Sequence, residues 1–356
     1  MIELADVLAR HWPAYERQHG TQILPSHRAA VWAIVSCRTP QLGGQTYRCG
    51  DCGHTHYAYH SCGHRACPKC GQADADAWLA RQQTRLLPGV PYFLVTFTVP
   101  EQLRALIRAH QKEFYAALFR ESAATLQEVA ANPKHLGAEL GMLGVLHTWS
   151  RQLVFHPHLH YIVAGAGLSP DGLRWQRVKN ATFLLPEKVL ARRFRNRLRG
   201  WLAREQPELY RQIPAIVWRT DWVVDSLAVG SGAAALKYLA NYVFKTALSS
   251  ARILADDERG VTFRFRRSDD GRWQTLTLAP AEFLRRFLQH VLPRRFRRVR
   301  SFGWLSPAAK TKWQRLEALL DWQRPAPPPS PPLPVPACPH CRQPLALVGR
   351  LPRAPP

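Results

Sequence analysis

Between Gln152 and Gly165 the chain alternates with the period of two that marks a half-buried β-strand. Leu153, Phe155, Leu159, Tyr161 and Val163 fall on one side, and His156, His158 and His160 on the other. A second pattern has helical spacing. After the start signal Gly230-Ser231-Gly232, an apolar stripe runs through Leu236, Leu239, Ala240, Val243 and Ala247. The opposite stripe carries Tyr238, Asn241, Tyr242 and Lys245, so the two tyrosines occupy successive turns.

Around these stretches the pattern predicts strands at Tyr92–Val99, Met142–Ser150 and Asp221–Val229. It predicts a helix from Pro100-Glu101 to about Ala131 and another over Pro280–Val291. A hairpin joins Phe263–Arg266 to Thr275–Leu278 around Ser268-Asp-Asp-Gly271. An antiparallel pairing of the strands before and after the turn near Gln152 sets His147 beside the histidine strand. Strands and helices mixed without regular βαβ alternation indicate an α+β fold with an antiparallel sheet.

Composition adds a partner. The 356 residues hold 49 Lys and Arg against 25 Asp and Glu, a formal charge of +24. That excess points to a polyanion. No apolar run approaches a membrane span and the first twenty residues are charged and amphipathic. The expectation is a cytoplasmic, nucleoid-associated prokaryotic protein with no membrane partner, in which clustered cysteines mean metal rather than disulfides.

Five of the eight cysteines lie between Cys49 and Cys70. Cys49-x₂-Cys52 and Cys67-x₂-Cys70 have the spacing of a structural Zn²⁺ site, with Cys62 and the histidines at 54, 56, 60 and 64 as competing ligands. Two basic tracts interleave arginine with aromatics, as single-stranded DNA binding requires. One holds Arg192, Arg193, Arg195 and Arg197; the other holds Arg294, Arg295, Arg297 and Arg298. After Arg324 nearly every second residue is proline, an extended linker that ends in Cys338-Pro-His-Cys341. That last pair could complete a site in a partner chain or bind metal with His340.

His-hydrophobic-His on a strand, followed about 80 residues later by two tyrosines on one helix face, is the arrangement of a metal-dependent tyrosine nuclease. His158-Leu159-His160 matches the motif of the HUH endonucleases. The chain more closely resembles the rolling-circle transposases of the family named for insertion sequence ninety-one. The resemblance rests on Ser61–Cys70, Pro91–Pro100, Leu146–Trp149, His156–His160, Tyr238–Tyr242 and Phe287–Pro293, in the family's order. Ala66 stands where a histidine is common, and Gly165-Ala-Gly167 replaces a glycine triplet.

The resemblance implies an HUH-type sheet flanked by helices, with the histidines on a central strand. It also implies that the amino-terminal zinc region contacts DNA, with Arg48, Arg65 and Lys69 at its border. The expected domains are 1–88 (helical and zinc-binding), 89–305 (catalytic), 306–323 (a terminal helix) and 324–356 (linker and tail). The expected function is nicking and rejoining of single-stranded DNA through a 5′-phosphotyrosine. Tyr238 and Tyr242 are the nucleophiles, Lys245 their neighbour, and Mg²⁺ or Mn²⁺ sits on His158 and His160. The third ligand stays open between His156 and His147, with Asp221 or Asp225 as a carboxylate alternative. A plasmid replication initiator or relaxase shares this chemistry, and a non-enzymatic zinc DNA-binding derivative is the reading from another class.

Overall fold

The computed structural model describes every residue except 71, 245, 268, 330–334 and 355–356. For 72–74, 235, 238, 239, 241, 242 and 244 it describes the backbone alone. In chain order, α1 (Leu4–His19) and α2 (Pro25–Val35) precede a hairpin of β1 (Gly44–Cys49) and β2 (Thr55–Tyr59), then α3 (Gln72–Gln83). The central part runs β3 (Tyr92–Thr98), α4 (Arg104–Ala109), α5 (Gln111–Ala131), β4 (Glu139–Trp149), β5 (Phe155–Leu168) and β6 (Trp175–Arg177). It continues with α6 (Glu187–Glu205), α7 (Pro207–Arg211), β7 (Val223–Ala228) and α8 (Ala233–Phe244). A second hairpin region holds β8 (Ile253–Asp257), β9 (Gly260–Arg266) and β10 (Trp273–Leu278), followed by α9 (Pro280–Leu288). The chain closes with β11 (Val299–Gly303), α10 (Lys310–Leu320) and β12 (Leu345–Leu351).

The main sheet has the order β11-β4-β5-β3-β7, with β6 on the end of β5, and its pairings are antiparallel. Period-two alternation sorts its side chains into two cores. Phe155, Leu159, Tyr161 and Val163 of β5 join Phe93, Val95 and Phe97 of β3 beneath α5 and α6. The Tyr161 hydroxyl reaches Ser122 of α5 at 2.7 Å. On the reverse face Leu94, Leu143, Val145 and Ile162 pack with Leu236 and Val243 of α8 and with Trp304 and Trp313. Gly144 of β4 lies opposite Tyr161, where any Cβ would meet the phenol ring at 2.5 Å.

The helix expected from Pro100 to Ala131 is broken: His110 (φ −122°, ψ 50°) separates α4 from α5. The expected strands at β3, β4, β5, β7, β9 and β10 form. β8 has no counterpart among the expectations; it pairs with β9 to make a separate β10-β9-β8 sheet. That sheet, α1, α2 and α9 share one core with Cys37 and Cys67. The carboxy-terminal segment, expected as a separate tail, supplies β12 as an edge strand on β1.

Candidate active site and metal centres

The hairpin register places His147 of β4 directly opposite His158 of β5, and Thr96 of β3 opposite His160. All three histidines are buried, on the sheet face that α8 covers. His147 Nδ1 and His158 Nε2 are 2.9 Å apart. Two nitrogens about 2.1 Å from one ion at a right angle would be about 3.0 Å apart, so this spacing suits a shared ion. His158 Nδ1 donates to the His156 carbonyl at 2.7 Å, which turns its Nε2 lone pair toward His147. Thr96 Oγ1 lies 3.0 Å from His160 Nδ1, committing that nitrogen and leaving Nε2 as the ligating atom.

One ligand atom from each of His147, His158 and His160 falls within 4.8 Å of the others. Burial pushes the imidazoles toward neutrality: His158 to about 3, His160 to about 4, and His147 well below its ordinary value. Neutral imidazole is the form that binds metal, so the donor set fits a divalent ion.

Of the two third ligands ranked equally from sequence, the geometry brings in His147. His156 is half-buried, its ring centre 4.9 Å from that of His158, and it stays outside the cluster. The ladder slips by a residue between His147 and Trp149, which displaces His156 from the in-register pairs. Among the described residues Asp221 and Asp225 also lie outside the group.

The histidines floor a cleft of about 1120 Å³. Among the described residues its lining includes Lys69, Arg104, Arg151, Lys237, Arg252 and Arg266 against one carboxylate, Asp76, with Trp149 and Trp273 among them. Such a cleft concentrates an anionic strand. Lys237 and Ala240 of α8 form part of the wall. The side chains of Tyr238 and Tyr242 and all of Lys245 lie outside the described residues. Buried Leu236, Ala240, Val243 and Ala247 follow the apolar stripe expected for this helix.

The arginine tracts separate. Helix α6 packs on α5, across the sheet from the histidines. There Arg193 pairs with Glu128 (3.3 Å), and Arg197 with Glu121 and Glu128 (both 3.2 Å). Arg195 donates to the Thr220 carbonyl, and Arg192 is exposed. Of the arginines expected to contact DNA, three on α6 are thus engaged within the protein, Arg193 and Arg197 with carboxylates of α5 and Arg195 with a carbonyl. Arg294, Arg295 and Arg297 are exposed ahead of β11. Arg298 lies over the Trp149 ring at 5.9 Å, near His147, with its pKa lowered to about 10 by burial.

The cysteines also regroup. The pairs Cys49/Cys52 and Cys67/Cys70 do not share a site. Cys67 and Cys70 join Cys62 and Cys37, whereas Cys49 and Cys52 face Cys338 and Cys341. The reason is β2: one pair sits at the tip of the β1–β2 hairpin and the other follows its base, about 17 Å of strand away. In the first group Cys70 Sγ is 3.3 Å from Cys37 Sγ and 3.5 Å from Cys62 Sγ. Zinc–sulfur bonds of about 2.3 Å give tetrahedral edges of about 3.8 Å, so small adjustments admit the ion. The hydrogen bond they share draws Cys67 down to about 5 and pushes Cys62 up, and a cation is what lets four thiolates coexist. Lys69 and Cys70 line the histidine cleft, so this cysteine group abuts the histidine cluster. Sequence reasoning missed Cys37, which stands alone after α2; the one available signal was that eight cysteines divide into two sets of four.

The family described as "Putative transposase" matches residues 141–312, which contain the three histidines and α8. The family described as "Transposase zinc-binding domain" matches residues 7–99. "Putative transposase y4qJ" of Sinorhizobium fredii is 37% identical over 344 residues, covering 91% of this chain and 86% of its own length. "Transposase for insertion sequence element IS801" of Pseudomonas savastanoi pv. phaseolicola is 34% identical over 301 residues, covering 78% of this chain and 69% of its own. No solved structure matches. A three-histidine cleft, a cysteine-rich amino-terminal domain and relatives aligned over most of the chain lead to one assignment: the chain belongs to the transposase family named for insertion sequence ninety-one, with DNA as its partner.

Proposed function

We propose that this transposase nicks and rejoins single-stranded DNA in rolling-circle transposition of an insertion sequence, through a 5′-phosphotyrosine formed by Tyr238 or Tyr242. The observation that carries the reading is the buried cluster of His147, His158 and His160 at the floor of a basic cleft walled by α8. His147, His158 and His160 would hold a divalent ion, which would supply Lewis-acid polarisation of the scissile phosphate. The chain's own residues do the rest. The cleft's arginines and lysines hold the flanking phosphates, and Trp149 and Trp273 offer faces for unpaired bases. A tyrosine oxygen attacks phosphorus, the P–O3′ bond breaks, and the departing 3′ oxygen takes up a proton. The phosphotyrosine conserves the bond energy, so the free 3′-OH reverses the step without ATP.

Mg²⁺ demands oxygen ligands and dehydrates reluctantly, so nitrogen donors should bind Mn²⁺, the first ion of the transition series, more readily than Mg²⁺. Two tyrosines one helical turn apart permit two successive transfers. The test is covalent capture of a single-stranded oligonucleotide carrying the element's end. Tyr238→Phe and Tyr242→Phe should each retain adduct formation and lose full transposition, and the double variant should form no adduct. An adduct in the double variant places the nucleophile elsewhere and ends this reading.

A further inference from the structure

We propose that Cys49, Cys52, Cys338 and Cys341 form a second, separate zinc site, which fastens the carboxyl end of the chain into the amino-terminal domain as its third strand. Cys49 Sγ lies 3.4 Å from Cys341 Sγ, although 292 residues separate them in the chain. Cys52 Sγ is 3.6 Å from Cys338 Sγ and 3.7 Å from Cys341 Sγ. These are close to tetrahedral zinc edges and far from a disulfide's S–S length of about 2.05 Å.

The two Cys-x₂-Cys turns share one backbone design. In the first, the Cys49 amide donates to the His54 carbonyl at 2.9 Å, and the Gly53 amide donates to the Cys49 carbonyl at 3.1 Å. In the second, the Cys338 amide donates to the Gln343 carbonyl at 2.8 Å, and the Arg342 amide donates to the Cys338 carbonyl at 2.9 Å. The residue after each second cysteine is left-handed, Gly53 at φ +68° and Arg342 at φ +64°. A non-glycine residue in that region is uncommon, so Arg342 marks a turn whose shape is imposed. Amides of Asp51 and Cys52 point at the Cys49 sulfur, and those of His340 and Cys341 at the Cys338 sulfur. Paired turns that each present two sulfurs to one point are what a four-thiolate zinc site needs.

The surroundings require such an ion. β12 runs antiparallel along β1 from Gly44↔Leu351 to Cys49↔Leu345, and Gly43 meets its end. A Cβ on Gly43 would stand 2.6 Å from the Leu351 carbonyl oxygen. Arg353 lies over the Trp32 ring at 5.3 Å. Yet among the described residues the core under this sheet is Cys49, Cys338, Leu345 and half-buried Tyr47. So little buried apolar surface does not hold three strands by itself, and a structural metal is the usual remedy.

The site also differs in accessibility from its neighbour. Cys52 and Cys341 are exposed, whereas Cys37 and Cys67 are buried and Cys62 and Cys70 half-buried. A chelator should therefore strip the second site first.

The experiment is zinc stoichiometry on the purified full-length chain by elemental analysis. Counted in a His158→Ala/His160→Ala background, so that the imidazole cluster adds nothing, the otherwise wild-type chain should carry two ions, one for each four-thiol group. Cys338→Ser/Cys341→Ser should carry one, Cys49→Ser/Cys52→Ser should also carry one, and combining all four substitutions should remove no more. Cys341→His, which keeps a zinc donor, should restore the second ion and so separates ligation from misfolding. Two ions in the Cys338/Cys341 double variant, or one in the otherwise wild-type chain, would overturn the proposal. So would recovery of the second ion on mixing the two double variants, which would assign the site to tails exchanged between copies.

Discussion

Thr96→Val isolates the role of a single hydroxyl behind the metal cluster. Valine keeps the β-branching and volume that suit a central strand, and removes only the oxygen 3.0 Å from His160 Nδ1. When the hydroxyl accepts from Nδ1–H, that contact holds the tautomer whose Nε2 can ligate, and it aims the ring. A neutral hydrogen bond contributes about 0.5–1.5 kcal/mol net, or about 2- to 12-fold in the population of the ligating tautomer. Loss of a partner that orients a ligating histidine typically costs about 10- to 100-fold in metal affinity. The lower end applies here, because His160 stays buried with its ring centre 4.7 Å from that of His158 and 6.0 Å from that of His147. The expected result is a rise of about tenfold in the Mn²⁺ concentration giving half-maximal oligonucleotide cleavage, with the rate at saturating Mn²⁺ nearly retained. An unchanged Mn²⁺ midpoint would show that His160 does not ligate. Activity lost at every Mn²⁺ concentration would show that Thr96 acts on something other than metal affinity.

His158→Ala and His160→Ala should each abolish cleavage while single-stranded DNA still binds in a gel-shift assay. Cleavage after chelation should return at lower Mn²⁺ than Mg²⁺ concentrations, and a preference for Mg²⁺ would mean that oxygen ligands dominate the site. Arg197→Ala should lower stability by about 1–3 kcal/mol in urea unfolding, because it strips a partner from buried Glu121, and change DNA affinity little. Arg151→Ala/Arg252→Ala should weaken DNA binding and flatten its salt dependence, and should also lower stability, because these guanidinium groups donate to the carbonyls of Arg151, Arg264, Arg266 and Arg267. Gly144→Ala should destabilise the protein by about 1–3 kcal/mol, since its Cβ would strike the Tyr161 ring at 2.5 Å; an unchanged melting temperature would mean that the ring moves aside freely.

Much of the fold was legible because its signals are local. A period of two puts His158 and His160 on one face of a strand whatever the strand pairs with, and helical spacing sets the buried stripe of α8 in the same way. Two cysteines separated by two residues make a metal-binding turn from backbone geometry alone. Among the described residues no helix is long and apolar enough to cross a membrane, which agrees with the lack of long apolar runs in the sequence. The partners of these local units were a different matter. His147 prevails over His156 because the β4–β5 register, with its slip before Trp149, brings one ring into line and leaves the other out. Thr96 enters through the choice of β3 as the neighbour of β5. The arginines of α6 carry the composition of a DNA surface, yet the helix packs over α5 and spends three of them on carboxylates and a carbonyl. Cys49 and Cys52 find Cys338 and Cys341 because a strand's length holds the nearer pair away and β12 returns the far one to β1. Periodicity and turn chemistry depend on a few adjacent residues and are written in the chain. Register, sheet order and ligand partnership depend on which surfaces are buried together across hundreds of residues, and only the folded molecule settles them.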